Sequence, residues 1–169
     1  YGKPFQFGLE AGSKPELLIA LATLRTPGSL RICNGYKDVE YIETALLARK
    51  LGQNTIIVIE QLEEVEMIIR AATKLGIAPV VGVRAKLSAK GLGHWEDSTG
   101  DRAKFGLSMW EILETFEQLE SANMLDSLKL LHFHIGSQIS NISTIKDALR
   151  EAGQIYVQLA EMGAPMGHL

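Results

Sequence analysis

Two histidines alternate with apolar residues in Leu130-Leu131-His132-Phe133-His134-Ile135, and Gly136-Ser137-Gln138 follows at once. Side chains alternate along a strand, so His132 and His134 share one face and Phe133 takes the other. If this strand belongs to a sheet of βα units, the pair stands at its carboxyl end, where ligands sit. Ser137 and Gly136 can offer a hydroxyl and backbone N–H groups to a phosphate there. The same pair also suits a hydrogen-bonded core, and the pattern alone leaves both readings open.

Other polar side chains close or interrupt apolar runs: Glu10, Asn34, Glu60, Arg84 and Lys86. Arg84 is the most telling, because an unpaired buried guanidinium costs several kcal/mol. It is expected to meet an acid or a ligand anion, the ligand being favoured. Glu10 reads either as a rim carboxylate or as an ion-paired surface acid. Glu60 and Lys86 read as strand closers, and Glu60, Glu63, Glu64 and Glu66 as a solvated helix start complementing the dipole. No acid–histidine cluster surrounds His132 and His134 in sequence, so no metal site is expected here. His94-Trp95-Glu96-Asp97 reads as a solvated loop. Cys33, the single cysteine, reads as a buried strand residue and points to a reducing, cytoplasmic setting.

Strands are expected at Phe5–Glu10, Leu30–Cys33, Thr55–Glu60, Pro79–Lys86 and Leu128–Ile135. Helices are expected between them, with Ser13, Asp38 and Ser108 as N-caps and Glu16 and Glu111 completing capping boxes. The first four strands recur every ~25 residues, the spacing of a βα unit. The glycine-rich stretch 87–103 breaks that rhythm. The two architectures that fit are part of a (β/α)8 barrel and a doubly wound open sheet. No G-x-G-x-x-G turn follows the first strand, so the α/β barrel is the expected fold.

The chain has 169 residues, 46% hydrophobic and 22% charged, with a net charge of -3. One domain is expected, with no nucleic-acid partner and no membrane span.

Four motifs resemble a known family: Gly8-Leu9-Glu10-Ala11-Gly12-Ser13-Lys14-Pro15-Glu16-Leu17, Cys33-Asn34-Gly35-Tyr36-Lys37-Asp38, Lys104-Phe105-Gly106-Leu107 and the stretch Leu130–Ile139. They look like the biosynthetic arginine decarboxylases, in the alanine-racemase-like group of pyridoxal-phosphate decarboxylases. The resemblance runs along the whole chain. It implies part of a TIM-type barrel that binds pyridoxal 5'-phosphate, and conversion of L-arginine to agmatine and carbon dioxide in polyamine biosynthesis. It also implies magnesium dependence and a homo-oligomer, dimer or tetramer. By position, His134 would stack on the cofactor ring, Ser137 would contact its phosphate, and Arg84 and Glu10 would stand beside it. Lys104 would make a salt bridge between subunits. The family's Schiff-base lysine is expected before Tyr1 and its glycine-rich phosphate loop beyond Leu169, since Lys3, Lys14 and Lys37 fall outside the lysine motif. No catalytic residue is therefore expected within residues 1–169, which read as a piece of one barrel domain, inactive and poorly soluble alone. The alternatives are a decarboxylase of ornithine, diaminopimelate or carboxynorspermidine, a regulatory homologue without the lysine, and a phosphate-binding barrel isomerase.

Overall fold

The computed structural model describes residues 3–87, 105–137 and 139–169. Lys104, Gln138 and the glycine-rich stretch from residue 88 lie outside the described residues. The strands are β1 Leu9–Ala11, β2 Leu30–Cys33, β3 Asn54–Ile59, β4 Val81–Ala85 and β5 Leu128–Phe133. The helices are α1 Lys14–Thr23, α2 Val39–Lys50, α3 Glu63–Leu75, α4 Met109–Ser121 and α5 Ile142–Glu161.

The described residues form one five-stranded sheet whose spatial order is the chain order, β1-β2-β3-β4-β5. Every pair is parallel. A doubly wound sheet reverses its order at a switch point; this one does not, which selects the barrel. After α5 the chain returns along β5, with a parallel bridge from Leu130 to His168.

The two faces of the sheet carry different apolar clusters. Outward, Ile57, Ile59, Val81, Val83 and Leu131 pack with Leu46, Ile68, Ile112 and Leu159 from the helices. Inward, Ile56, Val58 and Leu130 pack with Leu30, Ile32 and Val80. Burial on both faces is why β3 reads as an unbroken apolar run. The inward parity then continues upward into polar side chains: Ile32 leads to Asn34, Val58 to Glu60, Gly82 to Arg84 and Leu130 to His132. An apolar floor thus lies beneath a ring of charge at the carboxyl ends of the strands.

The first strand departs from expectation. Lys3–Phe5 form a 3-10 turn and β1 is only Leu9–Ala11. Pro4 supplies no N–H to a ladder, and Gln6 sits at φ 54, which interrupts an extended run. Phe5 and Phe7 are left exposed. β4 and β5 are also shorter than expected, ending at Ala85 and Phe133.

Two of the three caps hold. Asp38 accepts from the Tyr41 N–H at 2.7 Å, and Ser108 and Glu111 form a reciprocal box. The Ser13 side chain makes no cap bond; the Glu16 carboxylate instead reaches back to the Gly12 N–H at 2.7 Å. Ser108→Ala is expected to remove about 1 kcal/mol of stability, measurable by urea denaturation.

Candidate functional site

Glu60 is the centre of the rim. It follows β3, its side chain is 0% exposed, and one oxygen, Oε2, accepts from Arg84 Nη1 at 2.9 Å. The other, Oε1, accepts from the Gly35 N–H at 2.6 Å. Gly35 is at φ +71, and a Cβ there would fall 2.2 Å from the Gly12 carbonyl oxygen. Only glycine fits that approach. The segment Phe105-Gly106-Leu107 closes over the same strand ends: Gly106 N–H donates to the Glu60 carbonyl at 3.0 Å and Leu107 N–H to the Arg84 carbonyl at 2.7 Å.

Glu10 and His132 stand on the outermost strands, yet His132 Nε2 lies 3.7 Å from Glu10 Oε1. The sheet must curl for these to meet, so the pair spans the barrel interior. Asn34 Nδ2 donates to the same Glu10 oxygen. In register, His132 is the cross-strand partner of Arg84. His132 is mostly buried, and its Nδ1 is an enclosed polar atom with no hydrogen-bond partner among the described residues. His134 and Ser137 follow along the chain, both exposed.

Burial lowers the His132 pKa below the usual imidazole value, and the Arg84 charge pushes the same way; Glu10 and Glu60 oppose it. His132 is therefore a neutral imidazole near pH 7. Its folded pKa lies below its unfolded one, so its contribution to stability is present above about pH 6.5 and fades as pH falls through the folded value. Thermal melts between pH 7 and 5 are expected to show a decline that His132→Gln makes shallower. An identical slope in the variant would contradict this.

A second layer supports the first. Lys37 and Glu64 form a buried ion pair, Nζ to Oε2 at 3.1 Å, with side chains 0% and 1% exposed. Glu64 was expected on a solvated helix start; Lys37, brought over from the β2–α2 loop, is what allows its burial. Burial raises the Glu64 pKa, while Lys37 and the N–H groups of Glu60 and Lys37 pull it down. Cys33, as expected, is buried, its thiol pushed up to about 11 by desolvation, so it offers no thiolate.

The structure thus gathers Glu10, Arg84 and His132 at one end of the barrel, with His134 and Ser137 next along the chain. Arg84 meets an acid, Glu60, where a ligand anion was the favoured expectation. Glu60 was read as a strand closer. Its even spacing from Ile56 and Val58 was the available signal that it faces inward.

A family model for the pyridoxal binding domain of pyridoxal-dependent decarboxylases matches residues 5–169. The chain belongs to this decarboxylase family. Among the relatives of this decarboxylase domain, a biosynthetic arginine decarboxylase from Gloeobacter violaceus is 69% identical over 98% of the chain and 26% of its own length. The crystal structure of a biosynthetic arginine decarboxylase from Campylobacter jejuni matches with a TM-score of 0.85 at 39% identity, covering 96% of this chain and 26% of that one. A diaminopimelate decarboxylase from Helicobacter pylori, complexed with L-lysine, matches with a TM-score of 0.81 at 27% identity, covering 98% and 41%. The decarboxylase domain described here spans about a quarter of the length of the arginine decarboxylases it matches.

The chemistry of the rim fits the family's cofactor. Pyridoxal phosphate is a flat ring carrying a hydroxyl and a phosphate. A mostly buried imidazole whose Nδ1 has no partner among the described residues, a guanidinium, an exposed imidazole and an exposed serine suit those groups.

Proposed function

We propose that the full-length protein decarboxylates L-arginine to agmatine and carbon dioxide, an entry step to polyamines, and that residues 1–169 form one wall of its pyridoxal-phosphate site. The observation that carries this is the 69% identity, over 98% of the chain, with a biosynthetic arginine decarboxylase. When bound, the cofactor accepts the electron pair left as carbon dioxide departs. The chain's own residues hold and shield it. His134 would pack against it, and Ser137 with the backbone beside Gly136 would bind its phosphate. Arg84, anchored by Glu60, would offer it N–H groups, and Glu10, tied to Asn34 and His132, would set the charge beside it. The apolar floor of Ile56, Val58 and Leu130 keeps water out from below.

The remaining expectations concern the whole protein. Lys104 serves a subunit interface of a homo-oligomer in the cytoplasm. Magnesium dependence belongs to the same reading; among the described residues no group of three or more candidate ligands occurs. No helix among the described residues is long and apolar enough to cross a membrane. The cofactor lysine belongs to a segment outside residues 1–169.

The test is to assay the full-length protein with L-arginine, ornithine and diaminopimelate, measuring carbon dioxide and amine. Preference for arginine with agmatine as product is expected; preference for either competitor refutes the reading. Borohydride trapping with limiting pyridoxal phosphate is expected to label no lysine of residues 1–169 in preference to exposed ones such as Lys74.

A further inference from the structure

The Lys37–Glu64 pair lies behind the rim, where no ligand reaches it. Taking two charges out of water costs several kcal/mol per ion, so a pair this buried is a weak source of stability. What it supplies is geometry. Glu64 Oε2 accepts from the Glu60 N–H at 2.9 Å, and Oε1 from the Lys37 N–H at 3.2 Å. Lys37 Nζ donates to the Gly35 carbonyl at 2.5 Å. Gly35 N–H then holds Glu60 Oε1 at 2.6 Å, which leaves Oε2 for Arg84 at 2.9 Å.

We propose that Lys37 and Glu64 are positioning residues of the cofactor site, fixing the Glu60 carboxylate and through it the Arg84 guanidinium. The proposal rests on the reading that Arg84 lines that site. A carboxylate at a strand end rotates freely about its own bonds. Here both its backbone N–H and its outer oxygen are held by groups that the buried pair locks in place. A binding group is held to a fraction of an ångström only when the residues behind it are themselves fixed. Apolar replacements would fill the volume and preserve packing. They would also release the Glu60 and Lys37 N–H groups and the Gly35 carbonyl.

The experiment uses the full-length protein and two readouts: thermal melting without cofactor, and absorbance titration with pyridoxal phosphate. The double variant K37M/E64L is expected to melt below the parent but above Lys37→Met, and to bind the cofactor roughly tenfold more weakly, as loss of supporting contacts does at metal sites. The visible band of the bound cofactor should also move. Arg84→Met serves as the control and is expected to weaken binding as well. If R84M weakens binding and K37M/E64L does not, the pair has no positioning role. If R84M titrates like the parent, the placement of Arg84 at the cofactor is wrong instead. Should the double variant fail to fold, Glu64→Gln keeps an acceptor for the Glu60 N–H but no charge for Lys37. Parent-like cofactor binding and an unmoved band in that variant would overturn the proposal.

Discussion

Glu60→Ala is expected to lower the unfolding free energy of the full-length protein by about 3–5 kcal/mol, the loss usual when one partner of a buried ion pair is removed. The mechanism is exposure of need rather than loss of contact. Arg84, with a side chain only 15% exposed, would keep its charge and lose its carboxylate. The Gly35 N–H would lose its acceptor as well. Glu60→Gln retains shape and an oxygen for Gly35 but no charge for Arg84, so it should fall between the parent and the alanine variant. Urea denaturation reads all three, and an alanine variant with an unchanged midpoint would show that the rim does not depend on this carboxylate. Added cofactor should narrow the gap if its groups give Arg84 a new partner.

Lys37→Met is expected to have an effect of similar size, about 3–5 kcal/mol, and to be less stable than K37M/E64L. The reason is that Glu64, 1% exposed, would be left as a lone buried carboxylate. Taking away its charge too relieves that cost. A double-mutant cycle of K37M, E64L and K37M/E64L measures the coupling. Additive losses would mean that the two side chains do not act as a pair. Melting of Lys37→Met should recover partly on acidification, because protonation of Glu64 removes the unpaired charge.

Much of the frame was legible. Leu30–Cys33 and Asn54–Ile59 follow from β-branched and apolar runs too short for helices, and Asp38 and Ser108 cap as their side chains dictate. The in-order sheet follows from the even spacing of the units. Phe5–Phe7 misled because alternating aromatics imitate a strand, while the turn chemistry of Pro4 and the backbone of Gln6 decided otherwise. Glu64 could not be read correctly by itself. Charged residues at a helix start look alike, and what separates Glu64 from Glu63 or Glu66 is Lys37, 27 residues earlier, which no local period encodes. Alternation along β5 places His132 on the inward parity of Leu130, but its contact with Glu10 across the interior depends on how far the sheet curls. That curvature is a property of the assembled strands and is written in no single stretch of sequence.

The chain-order sheet bears on how the molecule comes into being. Each strand finds its partner in the unit made immediately before it, so a polypeptide leaving the ribosome can stack one unit on the last without waiting for distant segments. Contacts of this sequential kind favour rapid, stepwise assembly. The Glu10–His132 contact reaches furthest across the described sheet. It joins the first strand to the fifth, so the pocket cannot take shape until every intervening unit has been synthesised and laid down.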